Sequence, residues 1–94
     1  MAVSVADKTI TLTAESDEFP LPIVIKNINW VGATTAGHLL EISQSSTIGD
    51  NTKVLYNDVA AGANYVSRTL EEIHCPHGIE ITDLDSGTVQ VVYQ

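Results

Sequence analysis

The residue types best suited to chemistry in this chain crowd into one corner, His74-Cys75-Pro76-His77. Imidazole and thiolate are the ligands of structural zinc, and a thiol beside an imidazole is the basis of cysteine nucleophiles. The spacing argues against both. A closed zinc site draws its ligands from two separated knuckles, whereas these three candidates are packed together and a fourth would have to be His38 or a distant acid. Neighbours on a strand point to opposite faces, so His74 and Cys75 diverge rather than share a proton. The expected reading is a loop corner, with Cys75 a small buried apolar residue and the histidines at the surface.

The acids form a second set, grouped as Glu15, Asp17 and Glu18, then Glu71 and Glu72, then Glu80, Asp83 and Asp85. Oxygen ligands at short spacing suit calcium, and Glu80-Ile-Thr-Asp83-Leu-Asp85-Ser-Gly87 offers them. The run departs from the EF-hand pattern, however, and a solvated hairpin tip demands the same Asp and Gly. The sequence holds no Gly-x-Ser-x-Gly element, phosphate-cradling glycine loop or dinucleotide fingerprint. No catalytic residue, cofactor or metal is expected, and the protein is not expected to be an enzyme.

Composition narrows the partners. The 94 residues make one small domain, 1–94, with a thin core. Four Lys and Arg stand against 12 Asp and Glu, for a net charge of -8. Such a chain cannot neutralise a row of phosphates and is not drawn to anionic lipid, so neither nucleic acid nor membrane is expected as a partner. A lone cysteine allows no internal disulfide. No apolar run approaches the ~20 residues of a membrane span. The first residues lack the basic and apolar stretches of a secretory signal, so synthesis in the cytoplasm is expected.

The elements that must position these residues read as strands. Val, Ile and Thr number 10, 9 and 10, and such stiff side chains pack well on a pleated surface. Ile10 and Leu12 share one face of the first firm strand, with Thr9, Thr11 and Thr13 on the other. Glu15 to Pro22 breaks the pattern, because Pro20 and Pro22 remove ladder donors. In Ile23 to Val31, Ile23 and Ile25 have one parity and Ile28 and Trp30 the other, which a β-bulge near Lys26 or Asn27 reconciles. A turn is expected over Gly32 to Gly37. His38 to Gln44 then pairs with Lys53 to Asn57 as a hairpin whose long tip includes Gly49-Asp50-Asn51. Asp58 to Ala63 offers at most a helical turn. Asn64 to Leu70 alternates again, and Glu71 to Cys75 is ambiguous. A last hairpin joins Gly78–Thr82 to Thr88–Tyr93 through Asp85-Ser86-Gly87, with Val89, Val91 and Tyr93 on one face. About eight short strands give an all-β chain, either a small antiparallel β-sandwich or a jelly-roll-like barrel.

Open strand edges and a few apolar residues are the expected contact surface. Residues 1–7 alternate weakly through Val3 and Val5, as an edge strand or as an arm pairing with a neighbour's sheet. Phe19 lies among acids and prolines, where it either reaches another chain or tucks over its own sandwich. Val3, Val5, Phe19, Pro20 and Pro22 are therefore the candidate protein-interface residues. Trp30 reads as a core plug, whereas a glycan-binding face would need Tyr65, Tyr56 or Trp30 exposed beside polar loops.

Trp30-Val-Gly-Ala-Thr-Thr-Ala-Gly-His38, Asp58-Val-Ala-Ala-Gly-Ala-Asn-Tyr65, Gly78-Ile-Glu-Ile-Thr-Asp-Leu-Asp-Ser-Gly-Thr88 and Val91-Val-Tyr93 resemble segments of short all-β virion proteins of tailed bacteriophages. The likeness spans roughly residues 23 to 94, in turn-and-strand signatures rather than a catalytic motif. It implies a structural protein of the virion, a capsid decoration (cement) protein on the outer shell. The implied partners are the major capsid protein and further copies of itself, guessed as a trimer about a threefold axis. The alternatives are a tail, neck or knob component of the virion, or a glycan- or receptor-binding module. The acidic, proline-containing segment Glu15 to Pro22 has no counterpart in the resemblance.

Overall fold

A computed structural model describes residues 3–47, 49, 53–63 and 65–94, with residues 65 and 71 described by their backbone alone. Met1 and Ala2 of the expected arm, Asp50 and Asn51 of the long tip, Asn64, the Tyr65 ring and the Glu71 carboxylate thus lie outside the described residues. The rest is an all-β sandwich of antiparallel strands in two sheets. In chain order the strands are β1 (Val3–Ala6), β2 (Thr9–Leu12), β3 (Glu18–Phe19), β4 (Ile23–Ala33), β5 (Leu39–Ser43), β6 (Val54–Val59), β7 (Tyr65–Cys75), β8 (Ile79–Leu84) and β9 (Thr88–Tyr93). One sheet has the order β1-β2-β9-β4-β7, the other β3-β8-β5-β6.

The core forms where the alternating residues of both sheets meet. Ile10, Leu12, Ile25, Ile28, Trp30, Val89 and Val91 come from the first sheet, and Leu40, Ile42, Ile79, Ile81 and Leu84 from the second. The expected bulge is present. The register of β4 against β9 slips between Ile25 and Asn27, so Lys26 is the extra residue and the isoleucines on either side all face inward. Trp30 is fully buried, but the strand continues past it to Ala33, through residues read as a turn from the sequence. A second register shift, between Val31 and Ala33, lets the chain pass Gly32 while Ala33 returns to the core.

Two further expectations need correction. The last two strands are not a hairpin: β8 pairs with β3 and β5 in one sheet, whereas β9 pairs with β2 and β4 in the other. Asp85-Ser86-Gly87 is therefore a crossing between sheets, and the inward residues of β8 and β9 confront each other across the core. Alternation reveals a buried face but not whether the next strand lies beside it or opposite it. Glu71 to Cys75, ambiguous in the sequence, is the second half of an eleven-residue strand. No helical turn forms at Asp58, because β6 extends through Val59.

The N-terminal segment is an edge strand of its own domain. Residues 3–6 pair with β2 through a two-residue turn at Asp7 and Lys8, both at positive φ, the geometry that matches the twist of a tight hairpin. Glu18 and Phe19 also pair, as a short edge strand against Glu80 and Ile79 of β8.

Candidate functional site

The His74-Cys75-Pro76-His77 corner ends β7, and it separates its side chains as strand geometry demands. Cys75 points into the core and is 1% exposed, whereas His74 and His77 are exposed. Burial pushes the thiol up to about 11, against a backbone hydrogen bond at Ile25 that lowers it. Such a group is a protonated thiol at neutral pH, donating to the Ile73 carbonyl, and makes a poor nucleophile. His74 Nε2 lies 3.0 Å from Glu72 Oε1 instead. His38 is no closer to Cys75. It lies near the Ala33 end of β4, with Nδ1 2.7 Å from Ser86 Oγ, while Cys75 pairs with Ile23 at the other end. The corner also borders a shallow groove of about 510 Å³, with Pro22, Pro76, His74 and Gln94 on its rim.

The acids regroup in space. Glu80, read with Asp83 and Asp85 from the sequence, belongs elsewhere: its Oε1 accepts from Ser46 N at 2.9 Å and Ser46 Oγ at 2.6 Å. Its cross-strand neighbour Glu18 accepts from the hydroxyls of Ser45 and Thr47. Together these two glutamates tie the segment leaving β5 to the β3–β8 edge. Asp17 is fully buried, and its Oδ2 accepts the backbone N–H groups of Thr13 and Ala14. It shapes the crossing from β2 to β3.

Glu15, Asp83 and Asp85 are what remain, and the fold brings their carboxylate oxygens within 4.8 Å of one another. Asp85 Oδ2 also accepts from Leu39 N at 2.9 Å, which anchors the start of β5. Counted as one oxygen each, the three carboxylates supply half or less of the six to eight ligands that calcium takes. Crowding changes their protonation. Burial, then the hydrogen bond and charge of Asp85, then Glu15, raise Asp83 from 3.8 to about 6.

A raised carboxyl pKa means that the folded state binds its proton more tightly than the unfolded chain does. The resulting stabilisation is complete below the unfolded value near 3.8 and is lost as pH rises through about 6. Asp83→Asn, which keeps a hydrogen-bond donor without the charge, is expected to melt above the parent at pH 7. The advantage should shrink as pH falls from about 6 towards 4. Thermal melts of both proteins across that range check it, and parallel curves would remove the carboxyl cluster as the cause.

The five sequence-derived interface residues separate into two sets. Val3 and Val5 share the inward face of Ile10 and Leu12, yet stay 39% and 45% exposed at the rim. Pro22 is exposed as well, and Pro20 is half-buried. Phe19 tucks over its own sandwich, packing on the core with its ring centroid 6.0 Å from that of Tyr93. Of the aromatics considered for a glycan platform, Trp30 is buried and the half-buried Tyr56 places its hydroxyl 2.7 Å from Thr69 Oγ1. The surface that sequence reasoning missed lies along β7, where Val66 and Leu70 are 63% and 75% exposed. The alternation of Tyr65 to Leu70 carried the signal, but which face meets solvent depends on where β7 sits in the sheet.

Comparison with protein-family models, curated proteins and solved structures returns no match.

Proposed function

We propose that this chain is a bacteriophage virion structural protein, a capsid decoration (cement) protein that binds the outer shell and stabilises contacts between capsomers. The major capsid protein and further copies of the chain are its partners, and the outer capsid surface is its location. The observation that carries the reading is the open edge strand β1, which keeps Val3 and Val5 exposed on an otherwise strongly acidic domain. Such an edge offers main-chain hydrogen bonds for strand addition, with the valines as apolar anchors. The likeness of residues 23 to 94 to small phage virion proteins supports the same reading.

Charge is consistent with an exterior position. A domain of net charge -8 in many copies is repelled by packaged DNA, and outside the shell it discourages particles from associating. Binding to a lattice also stabilises a thin-cored domain by mass action.

The test is to heat particles assembled with and without the protein and follow DNA release. Undecorated shells should release DNA at a lower temperature, and added protein should restore the parent value. Equal release temperatures would rule out cementing. Copy number separates the tail or neck alternative: a value matching the capsomer lattice favours the shell, and one matching portal or tail symmetry does not.

A further inference from the structure

Two of the four sheet edges, β3 and β6, are protected in the ways natural sheets use, and β1, the edge assigned to the shell contact, is open but short. The edge strand β1 has four residues, and β3 has two and runs straight into Pro20 and Pro22. The pairing of β6 with β5 is interrupted, because Ser43 pairs with Val54 but Ile42 with Tyr56, which makes Leu55 an extra residue. A two-residue strand beside prolines, as in β3, and a break in a six-residue strand, as in β6, leave little regular ladder for another chain. The fourth edge, β7, is the longest; its register against β4 also shifts once, with residues 71 and 72 opposite Lys26, but the outward parity is kept across the shift. It runs eleven residues without proline and, among the described residues, has a neighbour on one side only. Its outward positions are regular. Val66, Arg68 and Leu70 pair with the outward Val31, Asn29 and Asn27 of β4, and the same parity continues through the exposed Glu72 and His74.

We propose that β7 pairs antiparallel with β7 of a second copy, about a two-fold axis through Leu70, joining two five-stranded sheets into one. Matching faces fix the choice of register. Centring on Arg68 or Glu72 places like charges opposite each other, and centring on Thr69 places Arg68 opposite Leu70. Centring one residue beyond Leu70 sets Arg68 against His74. Only with Leu70 on the axis does each Arg68 face Glu72 of the other copy, while the two Leu70 side chains meet. Leu70 is also the midpoint of Tyr65–Cys75, so this register pairs the whole strand. Length and charge select the same alignment independently.

The groups are ready for it. Arg68 is exposed and makes no ion pair among the described residues. Glu72 is held at both oxygens, by His74 Nε2 at 3.0 Å and Gln94 Nε2 at 3.2 Å, and each oxygen keeps a lone pair for a guanidinium. The backbone ladder supplies affinity, Leu70 adds apolar contact, and the charge pairs set the register. A self-complementary patch of this kind closes as a dimer. The symmetry is two-fold, in place of the threefold trimer implied by the resemblance, and it needs no shell.

Sedimentation across a concentration series, with purified full-length chain, tests the assembly. The parent should form a dimer, and Arg68→Glu should weaken it roughly tenfold or more by setting acids opposite each other twice. Glu72→Arg should weaken it similarly. The double variant Arg68→Glu/Glu72→Arg should restore the parent constant, and all four proteins should give the same circular-dichroism spectrum because both positions are exposed. Leu70→Cys should cross-link with a short bismaleimide. A monomeric or trimeric parent, or a double variant no tighter than Arg68→Glu, overturns the proposal.

Discussion

Replacing Trp30 with alanine is expected to cost about 3–5 kcal/mol, the range for removing a large buried aromatic side chain. A domain of this size has roughly 5–14 kcal/mol in total, so the variant should lose much of its stability or fail to fold. Trp30 is fully buried in the second half of β4, flanked in the sheet by Val89 on β9 and Ser67 on β7. Its indole N–H donates to the Ser86 carbonyl at 2.9 Å. The same Ser86 accepts the Thr34 N–H on its hydroxyl and lies against His38. One indole thus fills the core and fixes the crossing from β8 to β9 against the turn after β4. Trp30→Phe keeps most of the apolar volume and leaves the Ser86 carbonyl unpaired, so its cost should be smaller, about 1–3 kcal/mol. Urea unfolding followed by far-ultraviolet circular dichroism measures both variants, since the chain's single tryptophan would no longer report. A loss below about 1 kcal/mol for alanine would contradict the central role assigned to the indole.

Gly78→Ala is expected to be the most damaging of the small substitutions. Gly78 sits at φ +74, where an L side chain costs about 1–2 kcal/mol. The added methyl would also strike backbone, namely the Phe19 carbonyl, Leu21 N at 2.9 Å and Pro20 Cα at 2.9 Å. Backbone cannot rotate away as a flexible side chain can, so β3 must move off β8. That movement breaks the pairing of Glu18 and Phe19 with Glu80 and Ile79 and opens the Phe19–Tyr93 contact. A total of about 3 kcal/mol is expected. Gly37→Ala is the control: its φ is +89, but the new methyl meets nothing within 4 Å. It should cost only the conformational part. Denaturation midpoints that are equal for the two variants would show that the closeness of β3 has no energetic weight.

Both predictions depend on contacts between residues far apart in the chain, and there the reach of the sequence ends. Alternation located the inward residues correctly at Ile10 and Leu12, at Leu40 and Ile42, and at Val89 and Val91. The parity break in Ile23 to Trp30 located a bulge near Lys26 or Asn27, because a strand can bury both halves only by adding a residue, and the register places it at Lys26. The divergence of His74 and Cys75 followed from the same period of two. Glu18 and Phe19 were harder to read, since a two-residue strand beside two prolines leaves no periodic trace.

What the sequence determined by itself was which residues of a strand share a face, since that period follows from each residue and its immediate neighbours. The tertiary structure alone decided which strands lie side by side, because ladder hydrogen bonds join backbone groups that are alike in every residue. For this reason the β8–β9 pair reads as a hairpin in the chain and is divided between two sheets in the fold. The acids follow the same rule: Glu15 joins Asp83 and Asp85 from far along the chain, and Glu80 turns away to hold Ser46. The free edge of β7 is likewise a product of strand order. Its charges are written in the sequence, and its place at the end of the sheet exposes them.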